Sequence, residues 1–119
     1  MSFVPELEKL LGVSLITDPD ITTSYSKDQA PFAPFAPAKA VLLARSTEEV
    51  SKALAFCAQH KIPVVTRGAG SGLSGGANAD ADSLVISLEK MNSIIEIDSA
   101  NQWAKVQAGV INLDLDTAV

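Results

Sequence analysis

The chain has 119 residues, 47% of them hydrophobic, which suffices for one buried core and, by length, one domain. Its net charge of −5 and isoelectric point near 4.6 argue against a nucleic-acid partner, because phosphate backbones demand a basic footprint. One cysteine excludes an intramolecular disulfide and agrees with a reducing cytoplasm, and no apolar run is long enough to span a bilayer.

Met1 to Lys9 lacks the basic start and apolar block of a secretory signal. Ser2 to Gly12 instead predicts a short amphipathic helix, with Leu7, Leu10 and Leu11 on one face, Ser2 as cap and Gly12 at the end. From Asp18 to Pro37 no period is sustained, and Pro31, Pro34 and Pro37 hold the end of the stretch extended. So long a loop predicts a segment lying along another surface. Residues 1–36 are therefore expected to form an N-terminal helix and extended segment, and 37–119 the main unit.

Ala40-Val41-Leu42-Leu43-Ala44 predicts a buried strand. Ser46-x-x-Glu49 is a capping box, and the helix it opens carries Val50, Ala53, Leu54 and Cys57 as one apolar stripe. Pro63 stops any continuation, and Val64-Val65 starts the next strand, completing a βαβ unit. Further strands are expected near 84–88, 94–97 and 103–107, with turns at Asn92-Ser93 and Asp98-Ser99-Ala100-Asn101. Asn112 is placed to cap a last helix rich in early carboxylates. That helix stops without Gly, Pro or a basic last turn, so the chain reads as the N-terminal part of something longer. The fold class is α/β (α+β), a βαβ unit with a small mixed sheet, preceded by a short helix.

Five of the seven glycines fall within Thr66 to Ala77, directly after the strand at Val64-Val65. Glycine there allows positive φ and close approach of backbone to a ligand, and successive N–H groups can converge on an anion. Gly70-x-Gly72-x-x-Gly75 formally matches the dinucleotide fingerprint, but no amphipathic helix fits between Gly76 and the strand at Leu84. A Walker A loop needs Lys and Ser or Thr after its last glycine, where Gly76-Ala77 stand.

A third pattern fits. Arg67-Gly68-Ala69-Gly70-Ser71-Gly72-Leu73-Ser74-Gly75-Gly76-Ala77 resembles the pyrophosphate loop of FAD-linked oxidases of the vanillyl-alcohol oxidase and p-cresol methylhydroxylase type. The resemblance is strongest to the glycolate oxidase FAD subunit and FAD-linked D-lactate dehydrogenases. In family order there follow Pro37–Val41 leading to Ser46–Val50, then His60–Val65, Ser87–Asn92 and Val106–Val110, while Tyr25-Ser26-Lys27-Asp28 resembles a stretch upstream. The similarity covers about residues 20 to 119.

This resemblance implies the first lobe of a PCMH-type FAD-binding domain, within a flavin-dependent oxidoreductase that oxidises a 2-hydroxy acid such as glycolate or D-lactate. Arg67, Gly68, Ala69, Gly70, Ser71, Gly72, Leu73, Ser74, Gly75 and Asn92 are the implied cofactor-binding residues; Arg67 is as well suited to a structural pair as to phosphate. Some family branches carry in this loop a His that bonds covalently to the flavin; Ser71 stands there, so noncovalent FAD is expected. No metal site is expected, and the catalytic groups are expected later than Val119. His60 reads as a C-terminal helix residue, at a place where a cation suits the dipole, Cys57 as a small hydrophobe and Trp103 as packing. Partners would be the hydroxy acid and other oxidase subunits, in the cytoplasm or peripheral at the inner membrane. Two other readings stay open: a non-catalytic nucleotide-binding fragment or module, and the lobe of a MurB-type flavin reductase.

Overall fold

The computed structural model of the chain describes residues 2–119. It opens with α1 (Val4–Leu11), a single 3₁₀ turn (Gly12–Ser14), the two-residue strand β1 (Leu15–Ile16) and α2 (Pro19–Ser24). After a long extended segment come β2 (Ala40–Leu43), α3 (Thr47–His60) and β3 (Val64–Arg67). The glycine loop then leads to β4 (Leu84–Ser87), β5 (Ile94–Asp98), β6 (Trp103–Val106) and α4 (Asn112–Ala118).

The main sheet has the order β1-β2-β4-β3. β4 lies between β2 and β3 and is parallel to both, and β1 joins the edge of β2 antiparallel, so the sheet is mixed as expected. The two strands of the βαβ unit are therefore not neighbours; β4 separates them. All of β4 is buried, which is why Leu84-Val85-Ile86-Ser87 is almost continuously apolar rather than alternating. Its side chains divide between two layers. Leu84 and Ile86 join Ala40, Leu42, Ala53, Cys57, Leu7 and Leu11 beneath α1 and α3. Val85 and Val41 face the opposite way, against Ala38, Ala79 and Tyr25. That second face is covered by coil, not by helix.

α3 starts where the sequence places it. Ser46 Oγ accepts from the Glu49 N–H at 3.2 Å. The return bond differs from a standard capping box: Glu49 Oε2 accepts from the Arg45 N–H (3.0 Å), and its Oε1 accepts from the Ser14 hydroxyl (3.0 Å). The helix ends at His60 because Lys61 turns left-handed at φ 55°, before Pro63 is reached. His60 stacks on Phe56, with ring centroids 4.3 Å apart, and lies 4.0 Å from Glu6 of α1. Cys57 is buried, and burial pushes its thiol pKa up, in keeping with a packing role.

Several expectations need correction. Asp18 to Pro37 is not wholly irregular: Asp18 Oδ1 accepts from the Asp20 N–H at 2.9 Å and Pro19 takes the first helical position, which starts α2. Leu10 and Leu54 are exposed, since α1 buries only Leu7 and Leu11, and α3 packs through Ala53 and Cys57 with Val50 and Phe56 at the margin. Ser2 Oγ accepts from the Val4 N–H, but Phe3 holds the cap position of α1. Asn112 is the first residue of α4 and caps nothing; Ile111 precedes it. The strands at 94–98 and 103–106 pair only with each other, in an antiparallel hairpin apart from the main sheet. Trp103 on that hairpin is 44% exposed, so it is not packing of a closed core.

Replacing Ser46 by Ala should cost about 1 kcal/mol, the usual value of a helix N-cap, because the Glu49 N–H loses its acceptor. Urea denaturation of the two chains measures it, and an unchanged midpoint would show that Glu49 alone fixes the start of α3.

Candidate functional site: the glycine loop and its strap

β3 ends at Arg67, and the loop from Gly68 to Asp82 runs to β4 without a helix or strand. The loop therefore leaves the carboxyl end of a parallel strand, where open α/β sheets bind ligands. Two of its glycines carry positive φ, Gly70 at 72° and Gly75 at 79°. Gly70 is buried beneath the Arg67 guanidinium, which a Cβ at that position would strike. A Cβ on Gly75 would come 2.8 Å from the Ala33 methyl. Gly72 is under no such constraint of φ and has ordinary contact distance to Asp28.

The loop encloses a cleft of about 390 Å³. Its walls are Asp28, the run from Thr66 to Ser74, and Gly76-Ala77. A second cleft of about 350 Å³ lies on the other side, where Gly68, Ala69 and Ser71 face the segment from Ala108 to Leu113. That segment is fixed by Gly109, whose N–H donates to the Met91 carbonyl at 2.9 Å and whose bare Cα lies against the Leu88 carbonyl.

Eight of the sequence-derived residues, Arg67 to Ser74, come together in the first cleft. Gly75 stands behind it, its carbonyl accepting from the Asn78 N–H at 3.1 Å. Asn92 is exposed on the turn after β4 and outside the walls of both clefts. Leu73 is 74% exposed, so it does not pack under the loop.

Arg67 is held as a strut. Its Nη1 donates to the Lys27 carbonyl at 2.7 Å, and its guanidinium lies 5.5 Å from the Tyr25 ring centroid, a cation–π contact. Tyr25 in turn donates its hydroxyl to Glu89 Oε1 at 2.6 Å. That bond is the main reason the Tyr25 pKa is raised above 10.0; burial and the Glu89 charge add to it, and Arg67 opposes it.

The residue that sequence reasoning missed is Asp28. It is only 6% exposed and forms part of the cleft wall. The one signal was its place in the Tyr25–Asp28 stretch, to which no role could be given without knowing what it would touch.

The cleft's chemistry suits a phosphate-bearing ligand. Among the described residues, no backbone N–H from Gly68 to Gly76 donates to a protein acceptor, and neither do the Ser71 and Ser74 hydroxyls. A glycine cradle with unengaged donors at a strand's end fits a pyrophosphate, whose oxygens accept but never donate.

Comparison with known proteins gives the family. The family model described as FAD binding domain matches residues 38–119, and the chain belongs to that family, with FAD as its cofactor. It is 43% identical to the glycolate oxidase subunit GlcD of Bacillus subtilis over 95 residues, which is 80% of this chain and 20% of that protein. It is 40% identical to a D-lactate dehydrogenase of Archaeoglobus fulgidus over 121 residues, 99% of this chain and 26% of the relative. Among solved structures, p-cresol methylhydroxylase with substrate bound superposes with a TM-score of 0.80 at 28% identity, covering 97% of this chain and 23% of that one. The chain thus spans about a fifth to a quarter of the relatives it matches. The fold is that of a PCMH-type FAD-binding domain, as the resemblance implied.

Tyr25 is the only tyrosine in the chain, so tyrosinate absorbance reports on it alone. Because its folded pKa is raised, the stabilisation tied to its protonated hydroxyl is complete below about pH 10 and is lost as pH rises through the folded value. Alkaline titration of the 119-residue chain should give a midpoint above that of free tyrosine, and Glu89→Gln should bring it down. Identical midpoints would mean that the Tyr25–Glu89 bond does not persist in solution.

Proposed function

We propose that this chain provides the pyrophosphate-binding part of a flavin-dependent oxidoreductase that oxidises a 2-hydroxy acid of the glycolate or D-lactate type. The observation that carries the reading is the run of unengaged N–H groups from Gly68 to Gly76, in a cleft at the carboxyl end of β3. The choice of substrate class rests on the glycolate oxidase subunits and D-lactate dehydrogenases that the chain resembles. FAD, when bound, supplies the two-electron acceptor for oxidation at the carbon bearing the hydroxyl.

The chain's own residues bind and orient. Backbone donors at Gly68, Ala69, Gly70, Gly72 and Leu73 take the pyrophosphate oxygens, with the Ser71 and Ser74 hydroxyls as neutral donors beside them. Arg67 adds positive charge at the rim while bracing the loop against Lys27 and Tyr25. Leu73, with its side chain free, is placed to cover an apolar part of the ligand. Gly75 and Asn92 act through the turns they form. Ser71 cannot make the flavin–histidine bond of other branches, so the cofactor is held noncovalently.

The groups that bind the hydroxy acid and move its proton lie outside these 119 residues in this reading, and 37–119 acts as the nucleotide-holding lobe to which 1–36 is the preceding segment. No helix among the described residues is long and apolar enough to cross a membrane. We place the protein in the cytoplasm or peripherally at the inner membrane, with other oxidase subunits as partners; GlcD is itself named as a subunit.

Gly70→Val in the protein encoded by the complete reading frame should weaken FAD binding about a hundredfold or more, since a branched residue cannot hold φ near 72° and would displace Arg67. Flavin fluorescence titration of the apo-protein measures it, and unchanged affinity would remove the loop from the cofactor site. Acid denaturation of the wild-type holoprotein should leave the yellow colour in the supernatant. A coloured pellet after washing would show a covalent link made elsewhere.

A further inference from the structure

An acidic side chain in the wall of an anion cleft is electrostatically misplaced. Asp28 nonetheless sits there, buried, and its N–H and both carboxylate oxygens are engaged with the loop or with the segment that crosses it. Its N–H donates to Asn78 Oδ1 at 2.8 Å, and its Oδ1 accepts from the Ala30 N–H at 2.8 Å. Its Oδ2 accepts from the Ala77 N–H at 3.4 Å. The neighbouring Gln29 N–H donates to the Gly72 carbonyl at 2.9 Å. From the loop side, Asn78 Nδ2 donates to the carbonyls of Ala33 (3.2 Å) and Pro34 (3.1 Å). The crossing segment is thus tied to both limbs of the loop, at Gly72 and at Ala77-Asn78.

We propose that Asp28 is a positioning residue for FAD binding: with Asn78 it pins the Ala77-Asn78 limb of the glycine loop to the crossing segment, whose Gln29 N–H holds the other limb at Gly72, so that the N–H groups between them stay turned to the cofactor pyrophosphate. This rests on the reading of the loop as the pyrophosphate site. The clamp acts by pre-organisation. A glycine-rich loop has the largest conformational entropy to lose, and a loop already fixed loses little more when the ligand arrives. The coulombic penalty of one carboxylate is offset by the two hydrogen bonds its oxygens accept, which a shorter or neutral side chain could not both make.

The sign of one substitution separates this role from a simple charge effect. In Asp28→Asn the oxygen that meets the Ala30 N–H is kept, but an NH₂ group meets the Ala77 N–H, donor against donor. If Asp28 were only a charge beside the ligand, removing it would strengthen FAD binding. If it positions the loop, the same change weakens it, by about tenfold for the loss of one charge-assisted bond. The measurement is FAD titration of the apo form of the full-length protein for wild type, Asp28→Asn, Asn78→Ala, Gly70→Val and Ser46→Ala. Ser46→Ala lowers stability at the start of α3, outside the walls of both clefts, and controls for a general loss of fold.

The expected result is about tenfold weaker binding in both Asp28→Asn and Asn78→Ala, with Ser46→Ala unchanged at the same temperature. Unchanged or tighter binding in Asp28→Asn overturns the clamp while leaving the pyrophosphate site intact, provided that Gly70→Val still loses FAD. An equal loss in Ser46→Ala overturns it too, because the effect would then follow stability alone. Retention of FAD by Gly70→Val would overturn the site reading and the clamp together. Should Asp28→Asn fail to fold, Asn78→Ala, which cuts the same clamp from the loop side, decides by the same outcomes.

Discussion

β4 is hydrogen-bonded along both edges and covered on both faces, and the remaining structure answers to that double burial. Two parallel neighbours satisfy its backbone, which obliges β2 and β3 to lie apart and α3 to cross between them. Leu84 and Ile86 call for an apolar layer on one side, supplied by α1 and α3. Val85 calls for one on the other side, where no helix is available. The segment from Tyr25 to Ala38 lies there instead. Its position is set by Ser26, fully buried, whose hydroxyl donates to the Thr22 carbonyl at 2.6 Å and accepts from the Ala38 N–H at 2.9 Å.

That same segment reaches the site. The Ser26 carbonyl accepts from the Ala79 N–H at 2.8 Å, so the end of the glycine loop is bound to the layer that covers the sheet. Lys27, two residues beyond Tyr25, holds the Arg67 guanidinium over Gly70 through its carbonyl. A coil that serves packing on one side of its backbone thus orders the glycine loop on the other. Covering a sheet with coil leaves many backbone polar groups to satisfy, and a neighbouring loop rich in backbone is a suitable partner.

In the proposed site, an acidic chain would hold an anionic cofactor with dipoles rather than net charge. The loop offers N–H groups at short range, where a fixed dipole is effective, whereas the surface carboxylates act at longer range through screening water. Arg67 is the only cation in the walls of the first cleft, and it is already engaged with Lys27 and Tyr25. The proposed site therefore depends on backbone geometry more than on side-chain charge. This explains why glycines, rather than a basic cluster, were its visible mark.

What could be read in the residues was local. Ser46 and Glu49 announced α3, the run near 84–88 announced a strand, and the glycines after Val64-Val65 announced the loop. Each of these signals concerns neighbours in sequence, where spacing stands for distance. Leu10 and Leu54 were misjudged because amphipathic spacing shows which side chains share a face, not how much of that face a partner covers. The order β1-β2-β4-β3, the isolation of the β5–β6 hairpin and the contact of Asp28 with Ala77 and Asn78 are choices among distant segments. They follow from which surfaces remain to be buried once the strands have paired, and only the tertiary structure could decide them.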